Sequence, residues 1–178
     1  RDRNTYVEPF LGGGSVATEI APHFEHVYLS DIHEDLMLMW QALQQGWEPP
    51  TVVTEDEYRA LRNAPSSALR GFVGFGCSFG GKWFGGYARS GDTNFAATSG
   101  RSVSKQAPHL TGAMLEHKGY ETALEGLDAT QCVVYCDPPY RATVGYKGTT
   151  DFNHDKFYRT VKHWTERGAV DYVTTLGG

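Results

Sequence analysis

The chain opens with Tyr6-Val7-Glu8-Pro9-Phe10-Leu11, a mainly apolar run that leads straight into Gly12-Gly13-Gly14. That is the pattern of a buried strand ending in a tight turn. A short helix from Ser15 to about Ala21 is expected next, stopped by Pro22, and Val27 to Ser30 predicts a second strand. Leu36, Met39, Trp40 and Leu43 fall at i, i+3, i+4 and i+7, the stripe of an amphipathic helix, with Gly46 placed to end it. Thr54 and Glu57 form a capping box for a further helix carrying Tyr58 and Leu61. The order to this point is βαβα, which predicts a parallel sheet with crossover helices.

The pattern then changes. Residues 71–91, GFVGFGCSFGGKWFGGYARSG, hold eight glycines and six aromatics, and a Ser/Thr/Gly-rich stretch follows to Lys105. From Asn63 to about Gln106 the reading is a loop-rich insertion between crossover units. Residues 116–127 approach a short apolar strand at Cys132-Val133-Val134-Tyr135; a helix over 155–167 then leads to a last strand over 170–175. A doubly wound sheet normally carries more strands, so a minimal domain or a piece of a larger one is expected.

At 178 residues the chain fits one domain with a respectable core, and 40% hydrophobic and 13% aromatic residues exclude a disordered chain. No apolar run is long enough to cross a bilayer and no secretory leader is visible, which reads as soluble, intracellular and without a membrane partner. Cys132 and Cys136 lie on or beside a strand and read as small buried side chains. With Cys77 they make an odd set without zinc spacing, and the histidines form no HExxH cluster, so no metal is expected.

The net charge of −5 argues against a nucleic-acid ligand until its distribution is considered. Between Tyr58 and Lys118 stand eight basic and two acidic residues, a net +6, while the remainder carries −11. A phosphate-facing surface on an acidic body has this asymmetry, and so does a solvated basic face; charge alone leaves both open.

Gly12-x-Gly14-x-x-Ala17, after a strand and opening a helix, fits the fingerprint in which backbone N–H groups approach a nucleotide-like ligand. Asp31, at the end of the second strand, can accept both hydroxyl protons of a ribose. A dinucleotide oxidoreductase and an S-adenosylmethionine enzyme both fit this half, so the choice falls to a second motif.

That motif is Cys136-Asp137-Pro138-Pro139-Tyr140, at the carboxyl end of the Cys132–Tyr135 strand. An exocyclic aromatic amine is a poor nucleophile because its lone pair is delocalised into the ring. A site that alkylates it should accept hydrogen bonds from both N–H groups and hold the nitrogen in line with the donor. Asp137 supplies one acceptor, and the Pro138 carbonyl, aimed by the restricted backbone of the two prolines, supplies the other. Tyr140 offers a face for an extruded base, worth roughly 1–3 kcal/mol in stacking. The competing reading is a rigid turn after a strand. An oxidoreductase has no use for such a clamp.

EPFLGGGSVA, LSDIHEDLMLMW, FVGFGCSFGGKWFGGYAR, RSGDTNFA and VVYCDPPY together resemble the Dam-like DNA adenine-N6 methyltransferases of bacteria and phages, in their alpha arrangement. The resemblance implies an α/β, Rossmann-like S-adenosylmethionine-dependent methyltransferase sheet with helices on both faces and a loop-rich target-recognition insertion, at residues 63–115 of one domain. It implies S-adenosylmethionine as cofactor, double-stranded DNA as partner, and a cytoplasmic site in a bacterial or phage-infected cell. Phe10, Gly12, Gly14, Asp31, Ile32 and Asp137 would contact the cofactor; Asp137, Pro138, Pro139 and Tyr140 would form the catalytic loop. Lys82, Arg89, Arg101 and Lys105 would contact DNA, whereas Phe72, Phe75, Phe79 and Phe84 read as core. Relatives begin with a lysine- and tryptophan-bearing segment, place a polar residue before the tyrosine where this chain has Gly119-Tyr120, and continue past the last strand. A shortened form is therefore expected. The alternatives are a non-catalytic DNA-binding remnant, a cytosine-N4 enzyme and an RNA-adenine enzyme.

Overall fold

The computed structural model describes residues 2–139 and 152–175. Along the chain run β1 (Thr5–Glu8), α1 (Ser15–Ile20), β2 (His26–Asp31), α2 (Glu34–Gln44), α3 (Glu55–Arg62), α4 (Ala68–Gly76), α5 (Phe95–Gln106), β3 (Met114–His117), β4 (Cys132–Cys136), α6 (His154–Glu166) and β5 (Val170–Val173), with short 3-10 turns between some of them. Contacts divide the chain into two compact units: residues 1–13, 20–32 and 112–178, and residues 14–19 and 33–111.

The first unit contains a five-stranded sheet in the order β3-β2-β1-β4-β5, with every pairing parallel. All four residues of β1 are buried, as a central parallel strand requires. In β4, Cys132, Val134 and Cys136 are buried while Val133 and Tyr135 are half-buried, so both cysteines are the small core side chains expected. Asn153 caps α6 by accepting the Lys156 N–H at 2.9 Å. Phe157 and Trp164, seven residues apart on one face of that helix, are buried in a cluster with Val7, Leu124, Cys132, Val134 and Cys136. Each such aromatic contributes roughly 1.5–3 kcal/mol or more through area removed from water. The Arg3 guanidinium donates to the carbonyls of Thr130 at 2.8 Å and Gly168 at 2.6 Å, tying together the turns that lead into β4 and β5.

The second unit is helical. On α2, Leu36, Met39, Trp40 and Leu43 are buried, the stripe read from the sequence, and Met37 is buried beside them. The capping box forms as expected, with Glu57 N–H donating to Thr54 Oγ1 at 3.2 Å and Thr54 N–H to Glu57 Oε2 at 2.7 Å. The stretch from Asn63 to Gln106, expected to be loop-rich, carries the two helices α4 and α5. Within α4 the glycines serve close approach, whereas Gly80, Gly81, Gly86 and Gly91 stand at positive φ with open space beside them. A Cβ on Gly71 would collide with the Asp35 carbonyl, and one on Gly74 would run into the Trp83 and Phe84 rings. The buried Asp35 carboxylate also pairs with Arg70 at 2.8 Å and accepts the Ser67 N–H at 3.0 Å, fastening the start of α4 to α2. Packing of this kind overrides the low helix propensity of glycine. β3 is likewise structure where the sequence suggested only an approach to the next strand; its four residues include exposed Met114 and show no clear alternation.

Candidate active site

β1 lies between β2 and β4, so the connection leaving β1 and the loop leaving β4 emerge at the point where strand order reverses. Open α/β sheets present a crevice at the carboxyl ends of such strands. Three segments of the first unit meet this description: residues 9–12 after β1, Asp31 and Ile32 at the end of β2, and residues 137–139 after β4.

The turn after β1 is built to hold an acid. Gly12 adopts φ +52°, and its N–H donates to Asp31 Oδ2 at 3.0 Å, while the Leu11 N–H donates to the Ser30 carbonyl at 3.0 Å. Added Cβ atoms at Gly12 and Gly13 would meet nothing within 4 Å, so this side of the turn is open to a ligand. Gly14 has φ +71°, and a Cβ there would approach the Trp40 indole to 3.1 Å; packing within the second unit already accounts for its bare backbone. Ile32 is 71% exposed, an unusual position for isoleucine in a core-forming chain and a suitable one for an apolar shelf. Its carbonyl is bonded to His117 Nε2 at 2.9 Å, and the Asp31 carbonyl accepts the Lys118 N–H at 3.2 Å, so the end of β3 braces this corner.

On the other side of β1, Asp137 is exposed, Pro138 buried and Pro139 half-buried, whereas Tyr140 lies outside the described residues. The Thr174 hydroxyl donates to Asp137 Oδ1 at 2.6 Å. Glu8, the last residue of β1, is only 2% exposed and accepts the Tyr6 phenol at 2.7 Å. Burial, reinforced by the negative charge of Asp137, pushes the Glu8 carboxyl up to about 7 against the pull of the Tyr6 hydrogen bond. Burial also raises the Cys136 thiol, which rules it out as a thiolate nucleophile at neutral pH.

Phe10 is half-buried and stacks on Tyr120, with ring centroids 5.6 Å apart and planes at 25°. It also makes edge contacts with Phe152 and Phe157. Tyr120 thus supports the residue expected to line the cofactor.

In the second unit Lys82, Arg89, Arg101 and Lys105 are all exposed. Lys82 follows Gly80 and Gly81, both at positive φ, in a tight hairpin closed by Phe79 N–H to the Gly86 carbonyl at 2.8 Å and Ala88 N–H to the Cys77 carbonyl at 2.9 Å. Arg89 is paired with Glu55, whose other oxygen holds Arg59 at 2.8 Å. The reading of four phenylalanines as core holds for buried Phe72 and Phe84 and for half-buried Phe75, which packs on His33 and Trp83. It is corrected for Phe79, which is 68% exposed because the glycine hairpin carries it outward.

Glu8 and Thr174 are the polar groups of this site that sequence reasoning passed over. Glu8 was visible inside EPFLGGG, where an acid on a buried strand is itself a signal. Thr174 had none, being 37 residues from the carboxylate it touches. Among the described residues no group of three or more His, Cys, Asp or Glu side chains could hold a metal ion, and no helix is long and apolar enough to cross a membrane.

Residues 1–67 match the family model described as "D12 class N6 adenine-specific DNA methyltransferase". A 45-residue stretch is 36% identical to the Type II methyltransferase M.CviBI of Paramecium bursaria Chlorella virus NC1A, covering 25% of this chain and 17% of that protein. The chain therefore spans less than a fifth of the curated relative it matches. The parallel α/β sheet is the Rossmann-like methyltransferase fold expected from the sequence. Of the motifs that carry the resemblance, EPFLGGGSVA and LSDIHEDLMLMW lie within the matched residues 1–67, which are similar to the D12 class N6 adenine-specific DNA methyltransferases.

Proposed function

We propose that this chain carries the cofactor site and catalytic loop of a DNA methyltransferase acting on the exocyclic N6 of adenine, with S-adenosylmethionine as methyl donor. The observation that carries the reading is the position of Asp137 at the carboxyl end of β4, next to the β1 end that leads to Gly12 and Asp31.

The donor set fits such a cofactor. Asp31 is an acceptor for ribose hydroxyls, Ile32 is an exposed apolar shelf for a purine, and Phe10 and the open Gly12 turn would flank the remainder. When bound, S-adenosylmethionine supplies an electrophilic methyl group on a sulfonium. The exposed Asp137 beside the switch point favours a cationic ligand, and the buried Glu8 adds to this only where it ionises.

Asp137 and the Pro138 carbonyl would accept the two N–H bonds of the target amine, returning lone-pair density to nitrogen and aiming it at the methyl carbon. The bound cofactor would supply the methyl group, its sulfur leaving as a thioether with the S–C electron pair, and the proton displaced from nitrogen would pass to water. Tyr140 would support the base after its extrusion from the duplex. Lys82, Arg89, Arg101 and Lys105 would contact phosphates, and Phe79 offers an exposed ring on the same hairpin as Lys82. Such an activity would meet its DNA in the cytoplasm of a bacterial or phage-infected cell.

The test is transfer of radiolabelled methyl groups to unmodified duplex DNA, followed by nucleoside mass spectrometry. N6-methyladenine is the expected product. Label in N4-methylcytosine would overturn the target assignment. Saturable DNA binding with no label and no S-adenosylmethionine binding would leave a binding remnant.

A further inference from the structure

We propose that Thr174 is a positioning residue that holds the Asp137 carboxylate in its reactive orientation; the inference rests on the reading of Asp137 as acceptor of the target amine. Thr174 follows β5 directly, and its own placement is set by the sheet. Cys136 pairs with Val173 in the β4–β5 ladder, and one residue further the Thr174 N–H donates to the Cys136 carbonyl at 2.9 Å. This anchors the Thr174 backbone beside the start of the catalytic loop.

From that anchor the hydroxyl reaches Asp137 Oδ1 at 2.6 Å and lies 3.3 Å from the Cys136 carbonyl. A hydroxyl has one proton to give, and the shorter, charge-assisted contact takes it. Threonine is branched at Cβ, so its χ1 is stiff and the donor direction is well defined. Asp137 needs such a partner because its side chain is exposed, and an aspartate in contact with water otherwise samples several rotamers. On the β1 side stands Glu8, close enough for the Asp137 charge to add to the burial that raises its carboxyl. Thr174 therefore supplies a fixed donor, from β5, to a carboxylate whose neighbour on β1 is another acid. An amine acceptor ordered before its substrate arrives loses no rotamer freedom in the reaction step.

Two substitutions separate this role from a merely structural end to β5. Thr174→Val keeps the shape and the β-branch but removes the donor; Thr174→Ser keeps the hydroxyl. Thr174→Val is expected to lower kcat for methyl transfer by about ten- to a hundredfold, as loss of an orienting partner does. The melting temperature and the Kd for DNA should stay near wild type, and Thr174→Ser should recover most of the rate. A crystal structure of Thr174→Val should show the Asp137 carboxylate in a new rotamer. Equal kcat for wild type and Thr174→Val, or an unmoved Asp137 side chain, overturns the proposal. A wild-type chain that transfers no methyl group, with Asp137 displaced in Thr174→Val, overturns the functional reading and leaves the positioning role standing.

Discussion

The Asp31 carboxylate accepts the Gly12 backbone N–H at 3.0 Å, so the acid expected to hold a ribose also ties down the glycine turn expected to cradle the rest of the ligand. Asp31→Ala should remove both functions at once. Hydrogen bonds to a charged group are worth about 1.5–3 kcal/mol, so the Kd for S-adenosylmethionine should rise roughly ten- to a hundredfold. Asp31→Asn keeps an acceptor oxygen and should lose less. Titration calorimetry measures both, and unchanged affinity in Asp31→Ala would place the ribose elsewhere.

Asp137→Ala should depress methyl transfer by at least about a hundredfold, the scale on which a single well-placed polar group at a reacting centre acts. The side chain is exposed, so the melting temperature should change little. A radiolabelled-methyl assay with the purified variant decides it: wild-type turnover would contradict the assigned role.

Glu8 should make stability depend on pH. Its carboxyl is raised by burial from 4.5 to about 7 in the folded chain, so the folded state holds the proton more tightly than the unfolded state. The favourable contribution is complete below about pH 4.5 and is lost as pH rises to about 7, on the order of 3 kcal/mol in all. Asp171, raised by burial in the same direction, adds to the trend. Glu8→Gln keeps an acceptor for Tyr6 and carries no charge. Relative to wild type it should gain stability steadily from pH 4.5 to 7 in urea denaturation; parallel wild-type and variant curves would refute the assignment.

DNA binding should depend on Lys105 more than on Arg89. Each phosphate neutralised adds about 0.9 to the slope of log affinity against log salt. Arg89 must first leave Glu55, so its alanine variant should change the slope least. Replacing all four residues together should weaken binding and flatten the salt dependence. Phe79→Ala should lower affinity with no change of slope, because a stacking ring releases no counterion. Fluorescence anisotropy over a range of salt concentrations reads all of these, and an unaltered slope in the fourfold variant would locate the DNA elsewhere.

Gly71→Ala should destabilise the second unit. Its Cβ would stand 2.7 Å from the Asp35 carbonyl carbon and closer still to the oxygen, and both atoms belong to backbone that cannot swing aside. Overpacking of this kind costs about 1–3 kcal/mol, outweighing the helix propensity gained. Gly112→Ala, where nothing lies within 4 Å, serves as the control. Thermal melts of the two should differ by several degrees; similar melting temperatures would show that α2 and α4 can separate at little cost.

Much of this is legible in the sequence. Strands β1, β2 and β4 were visible as short apolar runs bounded by turn residues, α2 as a periodic stripe, and α3 through its capping box. Where local pattern misled, packing was the cause: the glycines of α4 suggested loops, although Gly71 admits the Asp35 carbonyl, Gly74 the Trp83 and Phe84 rings and Gly76 the Ser99 side chain. β3 has four residues and no clear alternation, so only its pairing with β2 defines it. Phe79 has the composition of a core residue and becomes exposed only because two left-handed glycines follow it.

The sequence by itself determined the chemical inventory: an acid after each of two strands, a glycine turn, paired prolines and a basic insertion, because these are properties of residue type and local spacing. Tertiary structure alone decided which groups meet. Strand order set Glu8 beside Asp137, and the β4–β5 register delivered Thr174 to the same carboxylate. Such contacts join residues tens of positions apart, and their distance and direction follow from sheet topology, which no local pattern encodes.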